Sequence, residues 1–225
     1  MSTALITGCD YGIGFEFARQ YAAEGWRVHA ICLDPASQGK VEALGDVRFH
    51  HVDVSDEAAV NTLADGLKDE AIDLLINNAA TFAPDGPGTL QLPDMDEFTR
   101  VMRVNAVALI YVANAFEHHA AASGRKLMIF IGTRSGSIGD NGSGGHYAYR
   151  CSKAALNMAV KSISIEFALH GIVAAVLHPG SVATETRKAG QIPVTESVSG
   201  MRNVIDELTP ETSGTFQRYD GGTIE

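Results

Sequence analysis

Cysteine is scarce in this chain. Its three cysteines, Cys9, Cys32 and Cys151, form no C-x-x-C pair. They are too few for a disulfide framework, which points to a reducing cytoplasm. Positive charge is also in deficit: 17 Lys and Arg stand against 27 Asp and Glu, for a net charge of −10. That balance argues against nucleic acid or an anionic membrane as the main partner. No apolar run is long enough to span a bilayer. The opening MSTALITG has no basic stretch followed by an apolar one, so no secretory signal is expected. There is no H-E-x-x-H helix, no G-x-S-x-G elbow and no G-x-x-x-x-G-K-[ST] loop. His50-His51 and His118-His119 are neighbours whose side chains diverge on a strand or a helix. No metal is therefore expected.

What is present reads as strands alternating with helices. The chain has 225 residues, 45% hydrophobic and 20% charged. That is enough for one large core and typical of a soluble globular protein. Strands are expected at residues 3–7, 27–33, 47–52, 72–76, 126–132 and 172–177, with a last one at 214–218. Helical patterns cover residues 15–23, 56–68 (with Ser55 as N-cap), 94–123, a stretch from Tyr149 to a C-cap near His170-Gly171, and 195–208. Residues 81–93, 133–145 and 187–193 read as loops. Such alternation implies right-handed βαβ units, hence an α/β doubly wound parallel sheet of the Rossmann type. With no repeat, linker or low-complexity tract, residues 1–225 read as a single domain.

Two stretches carry chemistry. After the first strand comes Gly8-Cys9-Asp10-Tyr11-Gly12-Ile13-Gly14, then a helix. Glycines there allow backbone shapes that a Cβ forbids, and let a phosphate approach the helix N-terminus. The spacing is G-x-x-x-G-x-G. The second strand ends at Cys32-Leu33-Asp34, where dinucleotide folds use an acid for the ribose hydroxyl or an Arg for a 2′-phosphate. Farther on, Tyr149 and Lys153 stand four residues apart on one helix face. An ammonium close to a phenol favours the phenolate, which suits an acid–base group. Tyr147 has Cys151 at that spacing and lacks such a partner.

Together with Asp53-Val54, Asn77-Asn78-Ala79-Ala80, Asn105 and PGSVAT (179–184), these residues resemble the short-chain dehydrogenase/reductase family over nearly the whole chain. SGGHYAYRCSKAALNMAVKS with LHPGSVATE is similar to its C-factor and sniffer-like carbonyl reductase branch. The resemblance implies that Gly8, Gly12 and Gly14, with Asp10, Tyr11 and Ile13 between them, hold the pyrophosphate turn. It places Asp53 and Val54 at the adenine, and Asn77 and Ala79 by the ribose. Pro179, Gly180, Val182 and Thr184 would cover the nicotinamide. It makes Tyr149 the proton donor, Lys153 its partner and a ribose ligand, and Asn105 the holder of a water leading from Lys153 to solvent.

The chain departs from that pattern twice. A Ser normally ends the fifth strand to polarise the substrate; here Gly132-Thr133 stands there, with Ser135 and Ser137 close behind. Thr133 and Ser135 are both candidates. The branch also carries arginines where this chain has Tyr11 and Leu33. NAD or NADP is the expected cofactor, with NAD slightly favoured because Asp34 would repel a 2′-phosphate. The expected function is hydride transfer between the nicotinamide and a small-molecule carbonyl or secondary alcohol, with residues 185–200 covering the substrate. The alternative is a dinucleotide-binding sensor or signalling protein with little turnover. Residues 104–116 and 154–167 are too apolar for one buried face, so a homodimer or homotetramer is expected.

Overall fold

The computed structural model describes residues 1–83, 92–185 and 188–225. In chain order they form β1 (Thr3–Thr7), α1 (Gly12–Ala23), β2 (Arg27–Cys32), α2 (Gln38–Glu42), β3 (Val47–His51), α3 (Glu57–Gly66) and β4 (Leu74–Asn77). Then come α4 (Met95–Met102), α5 (Ala108–Ala115), α6 (Glu117–Ala121), β5 (Leu127–Ile131), α7 (Tyr147–Glu166) and β6 (Val173–His178). Short β7 (Val182–Ala183) and β8 (Ile192–Pro193), α8 (Val194–Asp206) and β9 (Phe216–Arg218) complete the order. Seven strands form one sheet in the order β3-β2-β1-β4-β5-β6-β9. Every pairing in it is parallel.

The continuous apolar runs explain the middle of the sheet. TALIT, LLIN and LMIFI are buried at every residue, as a strand covered on both faces must be. One face packs on α1 and α8 through Phe17, Tyr21, Met201 and Ile205. The other packs on α3, α5 and α7 through Val60, Leu109, Val112, Leu156 and Val160. This is the doubly wound parallel sheet that the alternation implies.

Local differences have local causes. The α3 cap is Asp56, not Ser55: Asp56 is extended and its carboxylate accepts from the Ala59 amide at 3.1 Å. Ser55 instead donates its amide to the Asp53 carboxylate at 2.8 Å, two residues earlier. The expected helix over 94–123 is α4, a π-helical turn at Arg103–Val107, then α5 and α6. The expected loop over 187–193 ends in β8, which pairs with β7. Of the loop expected at 81–93, residues 84–91 lie outside the described residues. Residues 104–116 are not buried all round. Leu109, Val112 and Phe116 face the core, while Val107, Ile110 and Tyr111 are exposed in the single chain. α7 likewise exposes Met158 and Ile165. Among the described residues, no helix is long and apolar enough to cross a membrane.

One edge of the sheet holds a buried polar chain. His29 on β2 is fully buried. Its Nε2 lies 3.1 Å from Glu70 Oε2, and its Nδ1 lies 2.9 Å from Nε2 of His50 on β3. With neutral rings, His29 donates to the carboxylate and accepts from His50. Burial holds both imidazoles below their ordinary 6.5, His50 at about 4. The folded state therefore binds protons less readily than the unfolded chain in that window. The stabilisation is complete above about 6.5 and is lost as the pH falls toward about 4. Thermal melting should show a midpoint that declines over this interval. The decline should be shallower in His50→Gln, which cannot titrate.

Candidate active site

The C-terminal ends of β1 and β4 are stitched together. Thr7 Oγ1 accepts from the amides of Asn78 and Ala79 at 2.9 and 3.0 Å. The Asn78 side chain donates to Thr7 O and Gly8 O, both at 3.0 Å. Gly8 and Gly12 lie at φ +71° and +62°, where glycine is favoured. A Cβ on Gly14 would stand 2.1 Å from Gly8 O, so α1 can approach the turn this closely only with glycine there. Tyr11 caps α1 in extended conformation without a side-chain bond, which leaves the first-turn amides to an anionic ligand. Ile13 packs on the core. The glycine cradle fits a dinucleotide phosphate, with the Glu185 carboxylate near its rim, 3.9 Å from where a Cβ on Gly12 would stand. Ala79 lies against Gly8, on the rim of the cradle. Asn77 is fully buried, and neither its Nδ2 nor its Oδ1 has a hydrogen-bond partner among the described residues. The residue that builds the turn is its neighbour Asn78, which the sequence reading quoted in its motif but gave no role.

Beside the turn, Asp10 does a structural task. Its carboxylate accepts from the amides of Leu33 and Asp34 at 3.1 and 2.8 Å and from Ser37 Oγ at 3.2 Å. Asp34 accepts from Ala36 N at 2.9 Å. Leu33 and Tyr11 are both exposed. Asp53 is exposed, whereas Val54 is buried in the core.

Lys153 is 2% exposed, and its Nζ donates to Ile131 O at the end of β5 at 2.9 Å. Burial lowers its pKa to about 8. Tyr149 stands one turn earlier on α7, its ring stacked on Phe82 with centroids 4.0 Å apart. Asn105 sits in the π turn, a geometry that recurs at functional sites. Its amide binds Thr81 twice, donating to O at 2.8 Å and accepting from N at 2.7 Å. It also donates to Ser152 Oγ on α7 at 3.1 Å. Asn105 thus ties the chain after β4 to the helix that carries Tyr149 and Lys153.

A Cβ on Gly132 would stand 2.3 Å from Val176 Cγ1, so a serine there would require Val176 to move. The hydroxyl at the strand end is therefore that of Thr133, whose Oγ1 accepts from Ser135 N at 3.3 Å. Gly136 packs on α7, where a Cβ would stand 2.8 Å from Lys153 C. Thr133 and Ser135 both line a cleft of about 470 Å³ with Arg134, His178, Gly180 and Arg218. Pro179 accepts from the buried Ser197 hydroxyl at 2.6 Å, and Val182 is buried in β7. A Cβ on Gly12 would lie 3.4 Å from Thr184 Cγ2, so residues 179–184 bring the cleft to the glycine turn. Of the segment at 185–200, Gln191 and Ile192 line the cleft and residues 186–187 lie outside the described ones. Sequence reading missed Phe82 because an aromatic in a loop carries no periodic signal.

The chain is similar to known proteins in sequence and fold. The family model for short chain dehydrogenase matches residues 2–193. A 1-hydroxy-2-glutathionyl-2-methyl-3-butene dehydrogenase of Rhodococcus sp. (strain AD45) is 35% identical, covering 100% of both chains. Carbonyl reductase Sniffer of D. melanogaster superposes with a TM-score of 0.90 at 28% identity, over 100% of this chain and 99% of that one. An NADPH-bound carbonyl reductase from chicken fatty liver gives 0.88 at 28% identity, over 100% and 98%. The site geometry and these likenesses agree: the chain belongs to the short-chain dehydrogenase family.

Proposed function

We propose that the protein is an NAD(P)-dependent oxidoreductase that interconverts a small-molecule carbonyl and its alcohol. The observation that carries this reading is the buried Lys153, one helical turn from Tyr149 and bonded to the end of the strand that leads to Thr133. The bound nicotinamide would supply or accept hydride. Gly8, Gly12, Gly14 and the α1 amides would hold its phosphates, and Thr184 would close over them. Tyr149 gives its proton to the developing alkoxide. Lys153, still mostly protonated below pH 8, favours the phenolate left behind. Thr133 accepts the Ser135 amide, so its O–H is left to donate to the substrate oxygen.

Tyr149→Phe should abolish turnover and keep dinucleotide binding. Thr133→Val should lower turnover by about 10²–10³, as removal of one oxyanion donor typically does. Ser135→Ala should cost far less. The reverse order would assign the role to Ser135. The Thr133 substitution also favours the second reading, a dinucleotide-binding sensor. Wild type that binds NAD(P)H yet consumes none with a panel of aldehydes and ketones would establish that reading.

For cofactor choice, Asp10 and Asp34 stand together at the end of β2. Their negative charge disfavours a 2′-phosphate, although the chicken enzyme binds NADPH. Lys40, placed over the Phe15 ring at 5.4 Å, is a cation of this region that would oppose them. NADH should bind at least as tightly as NADPH in a fluorescence titration. A constant about tenfold tighter for NADPH would show that Lys40 or another cation outweighs the acids.

The exposed apolar residues of α5 and α7, Val107, Ile110, Tyr111, Met158 and Ile165, fit burial against a second copy. We read the assembly as a homodimer or homotetramer in the cytoplasm, where the three free cysteines stay reduced. Light scattering at micromolar concentration should return at least twice the 23.9 kDa of one chain.

A further inference from the structure

The cleft beside Thr133 is positively charged in an acidic protein. Its described lining includes Arg134, Arg218, His178 and Gln191 and no Asp or Glu. Acids outnumber bases 27 to 17 in the whole chain. Arg134 follows Thr133 in the turn after β5, and Arg218 pairs in register with His178 across β6 and β9. Among the described residues each arginine has one acid beside it. Asp140 lies 4.0 Å from Arg134 Nε, and Asp220 accepts from Arg218 Nη2. Neither acid lines the cleft. A guanidinium carries five N–H donors, so both retain donors for a ligand.

The phosphates at the glycine turn do not account for Arg218. The glycine turn follows β1, and β9 lies four strands away, about 19 Å at the usual strand spacing. Thr133, by contrast, ends β5, two strands or about 10 Å from β9 at the same spacing. An Arg side chain shortens that gap. We infer that the substrate carries a carboxylate several bonds from its reacting carbonyl, and that Arg134 and Arg218 hold it, with Gln191 beside them. Guanidinium matches carboxylate in a bidentate fork, which fixes orientation as well as charge. The inference rests on the oxidoreductase reading above and names the substrate class for that site.

The test uses two carbonyls that differ only in charge, 4-carboxybenzaldehyde and its methyl ester, with NAD(P)H consumption as readout. Wild type should prefer the acid in kcat/KM by at least about tenfold, a preference that weakens as salt rises. Arg134→Gln and Arg218→Gln should each reduce the acid-to-ester ratio several-fold, with ester turnover reporting that the variants fold. Arg218→Lys should restore part of the ratio by keeping the charge. An acid no better than the ester, or a ratio that neither substitution moves, overturns the inference while leaving the oxidoreductase reading intact. Turnover of neither carbonyl by a wild type that binds dinucleotide overturns both.

Discussion

The Lys153 ammonium, buried against the Ile131 carbonyl, is the contact on which the site depends. A charge taken out of water is costly unless it is paired or hydrogen-bonded. The structure meets that cost with one strand-end carbonyl and lowers the amine's pKa to about 8 by burial. Two neighbours hold α7 in place around it. Gly136 lets its turn touch the Lys153 backbone. Asn105, lifted out of regular helix by the π turn, bridges Thr81 and Ser152. The Tyr149 phenol stands one turn earlier on the same helix.

The same economy of space governs the opposite side of the site. Gly8, Gly14 and Gly132 each stand where a Cβ would meet backbone or a core valine at 2.9 Å or less. Tyr11, the N-cap of α1, makes no side-chain bond to the first-turn amides. Because the strands are parallel, β1, β4, β5, β6 and β9 all deliver their loops to one edge. That is why residues as distant in sequence as Gly12 and Thr184 come within contact there.

Much of this was legible in the sequence. The buried strands announce themselves as apolar runs, and Tyr149 and Lys153 share a face because four residues make about one turn. The parallel sheet follows from strand–helix alternation. What was not legible depends on contacts across the fold. Asp10 reads as a ligand in a glycine turn, and only the structure shows that it also holds the amides of Leu33 and Asp34 just beyond β2. Asn77 and Asn78 are indistinguishable in sequence, and only the structure shows that Asn78 makes the stitches. The reason for glycine at 132 is Val176 on the neighbouring strand, which no local pattern reveals. Arg134 and Arg218 are 84 residues apart in the sequence and line one cleft because β9 adds to the sheet beside β6.

The central claim is that Lys153 is desolvated yet still charged at neutral pH. Its ionisation can be followed directly by carbon-13 NMR of lysine labelled at Cε, with Lys153→Met used to assign the resonance. The account requires a titration midpoint near 8, well below the ordinary 10.5 of a solvated lysine. A midpoint at the ordinary value would show that the amine is in water, and that burial against Ile131 does not set the chemistry of this site.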